Sequence, residues 1–197
     1  MGQRSQIYLR YNGKLVFAHY YGWNYAERMI SRARYGIEWV KYYVGMKYDW
    51  VFSDPDYVTR MRRMFDVNFD MHDVAISQDI VQEHADLFAE DDFNDYVFNM
   101  QANNDGQLYV DIKDGKTYYC FRDWAFHPDG TTSDTIMSAS EYMDWDAEDW
   151  ENGEYITDEG KAACRDNIKA IEEMAKLMTL EQLDDFIHGD YSGVPQF

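Results

Sequence analysis

SQIYLRYNGKLVFAHY, residues 5–20, decides the fold. Two runs rich in β-branched and aromatic residues flank Asn12-Gly13, a pair that tolerates positive φ at both positions and so closes a two-residue type I′ hairpin. The register set by this loop places Ile7 and Leu9 opposite Ala18 and Val16 on one face, and Tyr8 opposite Phe17 on the other. Both faces are partly apolar, which predicts strands covered on both sides or an aromatic face that meets a partner.

Further along, Asp114-Gly115 signals a second tight hairpin, with Leu108, Val110 and Ile112 beside Phe121, Tyr119 and Thr117. Cys120 then falls on the opposite face, near Tyr109. Upstream, a three-residue loop Asn104-Asp105-Gly106 sets Ala102, Met100 and Phe98 against Leu108, Val110 and Ile112. A two-residue loop would oppose them with polar Asn103, Gln101 and Asn99, so a three-stranded meander over residues 96–123 is expected.

Between and after these strands the pattern changes to helical spacing. Asn24 with Glu27 resembles a capping box, and Ala26, Ile30, Ala33, Ile37, Val40 and Val44 draw one apolar stripe, predicting a helix from about Asn24 to Val44. Its outer faces hold Arg28, Arg32, Arg34 and Lys41. Further helices are expected after Asp54-Pro55 and after Ser77, then from Ala139 to Trp150 behind a Ser138/Glu141 capping box. Thr157 caps a helix through about Met178, and Thr179 with Gln182 a short one through Ile187. HPDGTTSD, residues 127–134, reads as a turn-rich link, and residues 189–197 as an extended, mobile tail. The order predicts an α+β fold in one domain spanning residues 1–197: an antiparallel sheet of about five strands, the N-terminal hairpin plus the meander, packed with several helices.

Composition narrows the function. The net charge of −19 is unevenly spread: residues 1–65 contain 11 lysines and arginines against 5 acids, and the remaining residues contain 7 against 32. Such an acidic surface repels nucleic acid and favours a basic partner. No apolar run approaches the ~20 residues that span a bilayer, and the N-terminus lacks the apolar core of a signal peptide, so a cytoplasmic protein without a membrane role is expected. Cys120 and Cys164 are too few for a disulfide framework or a thiolate zinc site, and Cys164 aligns with Ile168, Ile171, Ala175 and Met178 as a core thiol.

Residues 143–159, MDWDAEDWENGEYITDE, combine eight carboxylates with two tryptophans and a tyrosine and contain no lysine or arginine. A disordered acidic tract is poor in aromatics, so residues 134–160 are expected to fold or dock. A helix rising ~1.5 Å per residue displays carboxylates at a density comparable to duplex DNA, which carries one negative charge per ~1.7 Å of axis. Tyr142, Trp145, Trp150 and Tyr155 either anchor the segment to the domain or serve as contact hot spots. The alternative is a solvated acidic face with its aromatics buried beneath.

Other groups carry weaker signals. His72 lies between Asp70 and Asp73 in DMHD, a candidate metal or acid–base site that lacks a second ligand pair at helical spacing. His84 aligns with Ile80 and Phe88 as a core-edge histidine, and His19 sits on a strand. Arg28, Arg32, Arg34, Arg60, Arg62 and Arg63 form a basic set with tyrosines nearby in sequence, which suits phosphate or internal pairing with the acidic remainder. No nucleophile motif and no phosphate-cradling glycine loop is present; Thr131, Thr132 and Ser133 read as helix entry. No cofactor is expected.

The opening MGQRSQIYLRYNGKL followed by WNYAERMISRAR resembles a group of uncharacterised small acidic proteins carried by phages and mobile elements of anaerobic Gram-positive bacteria. The resemblance implies an anti-defence role of anti-CRISPR type, in which an acidic protein occupies the nucleic-acid channel of an effector nuclease. It transfers no functional residue. The sequence therefore predicts a non-enzymatic inhibitor that mimics nucleic acid, with Asp144, Asp146, Glu148, Asp149, Glu151 and Glu154 supplying charge and Trp145 and Trp150 apolar anchoring. The rival readings are an enzyme around His72 and Asp73 and a nucleic-acid binder using the arginine face. The partner is left open, as is the oligomeric state, with a head-to-tail dimer allowed.

Overall fold

A computed structural model describes residues 3–22, 24–45, 73–75, 98, 105–126, 129 and 132–191. In chain order these form β1 (Arg4–Tyr11), β2 (Lys14–Gly22), α1 (Ala26–Gly45), β3 (Asp73–Ala75), β4 (Gln107–Lys113), β5 (Lys116–Phe126), β6 (Thr132–Met137), α2 (Ala139–Asp146), α3 (Asp158–Met174), β7 (Lys176–Leu177) and α4 (Leu180–Ile187). The strands make one sheet in the order β3-β2-β1-β4-β5-β6, with β7 also on β5. This is an α+β fold.

Both Asx-Gly pairs turn the chain as their chemistry dictates. Asn12 and Gly13 have φ of 46° and 82°, and Asp114 and Gly115 of 53° and 71°, the left-handed pair a type I′ loop requires. The second hairpin keeps its predicted register: Leu108 faces Phe121, Val110 faces Tyr119 and Ile112 faces Thr117. In the first hairpin Tyr11 faces Lys14 and Arg10 faces Leu15, but a bulge then shifts the pairing. Leu9 lies opposite Phe17, Tyr8 opposite Ala18 and Ile7 opposite His19, each one residue beyond the expected partner. The extra residue inverts the alternation, so Val16 and Ala18, two positions apart, are buried on opposite faces of the sheet.

The sheet is mixed rather than wholly antiparallel. β1 runs parallel to β4, with Gln6 through Tyr11 matched to Gln107 through Ile112. β1 and β5 occupy both edges of β4, which leaves no edge there for the strand expected over residues 96–102. Phe98 is instead buried beside Tyr8 and Tyr109, and residues 99–104 lie outside the described residues. The third strand of the meander comes from the far side: β6, in the stretch read as a link and helix entry, pairs with Phe121–Phe126 of β5. Its Ser133, Asp134 and Thr135 are exposed, as suits an edge strand, and that polarity is what disguised it.

Both faces of the sheet are covered. Ile7, Leu9, Val110 and Phe121 pack beneath α1, α2 and α3, while Tyr8, Leu15, Tyr109 and Cys120 pack beneath α4. The predicted stripe on α1 is buried from Ala26 to Val40, with Val44 packed at its margin. Its start differs from expectation. Asn24 is not the cap: it is buried, and its Nδ2 donates to Ser5 Oγ at 2.6 Å. The Ala26 N–H donates instead to Asp146 Oδ2 at 2.6 Å, so a carboxylate 120 residues away closes the helix end. Arg32 is likewise buried rather than outward, its guanidinium 4.5 Å from the Tyr21 ring centre.

The later caps follow the sequence. Ser138 and Glu141 form both bonds of a capping box, as do Thr179 and Gln182, and Thr157 caps α3. α2 stops at Asp146 rather than Trp150, and α3 stops at Met174 rather than near Met178. The chain leaves α3 early because Lys176 and Leu177 pair with Tyr118 and Tyr119, delivering Met178 to the other face. Tyr191 is buried there, its hydroxyl donating to the Phe186 carbonyl, so the tail is docked as far as that residue. Residues 192–197, and the helices expected after Asp54-Pro55 and Ser77, lie outside the described residues. No helix among the described residues is long and apolar enough to cross a membrane.

Candidate acidic binding surface

The acid-rich segment is fixed to the body by two of its four aromatic residues. The Tyr142 ring stacks on Phe121 at 4.3 Å, and its hydroxyl lies 2.9 Å from both the Asp105 carbonyl and Asp146 Oδ2. Gly106, at φ 83°, makes room: a Cβ there would sit 3.3 Å from Tyr142 and 3.4 Å from Trp145. Trp150 is 8% exposed within the core under α1 and α3, and its Nε1–H donates to Asp144 Oδ1 at 3.1 Å. The other two aromatics are more exposed, although the Trp145 ring still lies 5.9 Å from that of Tyr142. Trp145 is 38% exposed and Tyr155 fully so.

The carboxylates divide in the same way. Asp146 is half-buried and serves as the remote cap of α1, and burial raises its pKa against the lowering effect of the Ala26 N–H and the Tyr142 hydroxyl. Glu151 meets Arg165 at 2.5 Å. Asp149, at φ 56°, accepts a bond from Asn152 Nδ2 at 2.7 Å. Asp144, Glu148, Asp149 and Glu154 are exposed, and none of them forms an ion pair among the described residues. Lys161 reaches the segment but donates to the Gly153 carbonyl at 2.7 Å.

Several described cations of the N-terminal third are engaged elsewhere. Arg10 lies 2.8 Å from both Asp111 and Asp185, Arg34 lies 3.6 Å from Glu38, and Arg28 stacks over Tyr25 at 5.2 Å. With Arg32 buried, no continuous basic face forms along α1. Arg60, Arg62, Arg63, Asp70, His72 and His84 lie outside the described residues, and of the DMHD stretch Asp73 is placed only as backbone paired with Tyr21. His19 pairs with Ala75 on β2. Among the described residues no group of three or more His, Cys, Asp or Glu is arranged to hold a metal. Both thiols are buried, and burial pushes Cys164 up to about 12, which leaves no thiolate nucleophile at neutral pH.

Where α1 begins, the fold brings Tyr25 and Glu27 against Asp146, Glu148, Trp150 and Tyr155, and these residues line an open cleft of about 570 Å³. Tyr25 and Glu27 were not legible as part of this surface, because nothing local joins them to residues 146–155. The signal was long-range: an acid at the last residue of one helix, α2, that caps a different helix.

One buried carboxyl behind this surface gives a pH signature. Burial raises the Asp105 pKa to about 6; the Arg4 N–H that it accepts lowers it, and the nearby Asp146 charge raises it. A carboxyl whose pKa is raised on folding adds stability that is fully present below its unfolded value near 4 and is lost as pH rises through about 6. Asp105→Asn is therefore expected to flatten the fall in urea-unfolding stability between about pH 4 and 6. The contrast with wild type removes the general self-repulsion of the other acids; superimposable pH profiles would exclude a shifted Asp105.

No protein-family model matches the chain, and no curated protein and no solved structure matches it. Fold and surface thus define an α+β protein that carries one acidic, aromatic-bearing face.

Proposed function

We propose that the protein is a non-enzymatic binding protein that presents this acidic face to a basic groove of a nucleic-acid-handling protein, competing with DNA or RNA there; an effector nuclease is the instance implied by the sequence resemblance. The observation that supports the reading is the set of four exposed carboxylates, Asp144, Glu148, Asp149 and Glu154, left without cations of the described chain. Trp145 and Tyr155 supply exposed ring area, whereas buried Trp150 and the Oδ2 of Asp146, which caps α1, hold the segment in place. Charge of this kind accelerates encounter, and aromatic burial slows release.

The test uses the full chain as bait against a bacterial lysate, beside a variant in which those four acids are changed to lysine. Wild type is expected to retain a nucleic-acid-binding protein that duplex DNA or RNA displaces and salt elutes, and the variant to retain at least about tenfold less. Equal recovery by both baits, or recovery insensitive to nucleic acid, contradicts the reading.

A further inference from the structure

The cleft at the start of α1 has a chemistry that the surrounding acidic face does not share. Its walls combine the rings of Tyr25, Trp150 and Tyr155 with the carboxylates of Glu27, Asp146 and Glu148. Tyr155 is fully exposed although it is large and partly apolar, which leaves its ring available to a ligand. The Asp146 carboxylate is half-buried and has one oxygen, Oδ2, engaged by Ala26 and Tyr142; its Oδ1 accepts no hydrogen bond among the described residues. Among the described residues no lysine or arginine lines the cleft, although the Arg28 guanidinium stacks over its Tyr25 ring at 5.2 Å. A partly desolvated carboxylate beside the exposed Tyr155 ring, with no ion-pair partner among the described residues, is completed by a cation from outside.

We infer that this cleft is a socket for a single arginine side chain of the binding partner, its guanidinium stacked on Tyr155 and bonded to Asp146 and Glu148. The inference rests on the proposed acidic-face function and deepens it by naming the side chain that anchors the partner. Guanidinium fits better than ammonium because it is planar, stacks on aromatic faces and presents paired N–H donors to carboxylates. A cleft of about 570 Å³ accommodates an arginine side chain and the backbone on either side of it.

The socket is tested on the full chain with N-acetylarginine amide, and with the corresponding capped citrulline and capped lysine as comparisons. The readout is the indole N–H resonance of Trp150, a cleft-lining residue whose indole proton is bonded to Asp144. Capped arginine is expected to shift this signal saturably in the millimolar range. Capped citrulline, which has the same shape without the charge, is expected to bind at least about fivefold more weakly, and capped lysine about threefold more weakly. Tyr155→Ala and Glu148→Gln, both at exposed positions, should each weaken arginine severalfold, while Glu172→Gln on α3 should not. No saturable shift, citrulline or lysine equal to arginine, or an unaltered Tyr155→Ala overturns the inference.

The two proposals fail separately. Saturable arginine binding with lysate capture unaffected by the four-acid reversal leaves the socket and removes the acidic-face function. Capture lost on reversal with no arginine binding does the opposite.

Discussion

Arg122→Leu is expected to lower stability by about 3 to 5 kcal/mol, a large share of what a domain of this size possesses. Arg122 is 2% exposed, yet from β5 it bonds to side chains of both neighbouring strands, β4 and β6. Its Nη1 lies 3.0 Å from the Phe98 carbonyl, 3.0 Å from Gln107 Oε1 and 3.1 Å from the Tyr109 hydroxyl, and its Nε lies 2.6 Å from Asp134 Oδ1. Gln107 in turn donates to Gln6 Oε1 at 2.6 Å, and Tyr8 donates to the same oxygen at 2.7 Å. Leucine would fill much of the volume but remove the charged donor from all three buried acceptors; the Phe98 carbonyl keeps Gln107 Nε2 at 2.9 Å and Gln107 Oε1 keeps the Tyr109 hydroxyl at 3.1 Å, yet the loss of the charge-assisted bonds dominates any gain from a less polar core. Burial raises the pKa of both Tyr8 and Tyr109, so these hydroxyls stay protonated and able to donate. Asp134→Asn is the control: its side chain is about a third exposed and the amide still offers an acceptor oxygen to Arg122, so the change should cost about 1 kcal/mol or less. Urea unfolding of both variants decides; an Arg122→Leu protein within about 1 kcal/mol of wild type would show that the network contributes little.

The second large effect is expected at Tyr142. Tyr142→Ala should cost about 3 to 5 kcal/mol, since it removes a buried ring stacked on Phe121 and leaves a cavity under α2. Tyr142→Phe keeps the ring and loses only the hydroxyl that bridges the Asp105 carbonyl and Asp146, so about 1 to 2 kcal/mol is expected. The gap between the two variants separates packing from the polar bridge. Because Asp146 also caps α1, Tyr142→Phe should raise amide exchange at the first turn of α1 as well as in α2. Exchange confined to α2 would show that the two helices are not coupled through this hydroxyl.

What was legible in the sequence was local. Asn12-Gly13 and Asp114-Gly115 announced their turns, the Ser138/Glu141 and Thr179/Gln182 pairs announced their helix starts, and the α1 stripe announced its buried face. What was illegible depended on partners far along the chain. The parallel union of β1 with β4 has no local signature, since each strand's pattern is satisfied by any apolar neighbour. The bulge at Leu9/Arg10, which puts Leu15 and Val16 into different layers, has no mark in an alternation that either register satisfies. Asn24 resembled a cap because Asn and Glu stood at the right spacing, but the assembled core took its side chain and Asp146 supplied the oxygen instead. At the candidate surface, the charge was plain in the sequence. The division of labour among Tyr142, Trp145, Trp150 and Tyr155 was not, because their spacing is compatible with either burial or exposure.

The central claim is electrostatic: Asp144, Glu148, Asp149 and Glu154 project negative potential that no cation among the described residues pairs with. Paramagnetic relaxation of backbone amides by a cationic and an anionic nitroxide of matched size measures that potential residue by residue, with no partner required. The account predicts the largest cation-to-anion ratio at Asp144–Tyr155, well above that at the Asn12-Gly13 and Asp114-Gly115 turns, where Lys14, Lys113 and Lys116 lie close, and a collapse of the contrast at high salt. A ratio at Asp144–Tyr155 no larger than at those turns would contradict it.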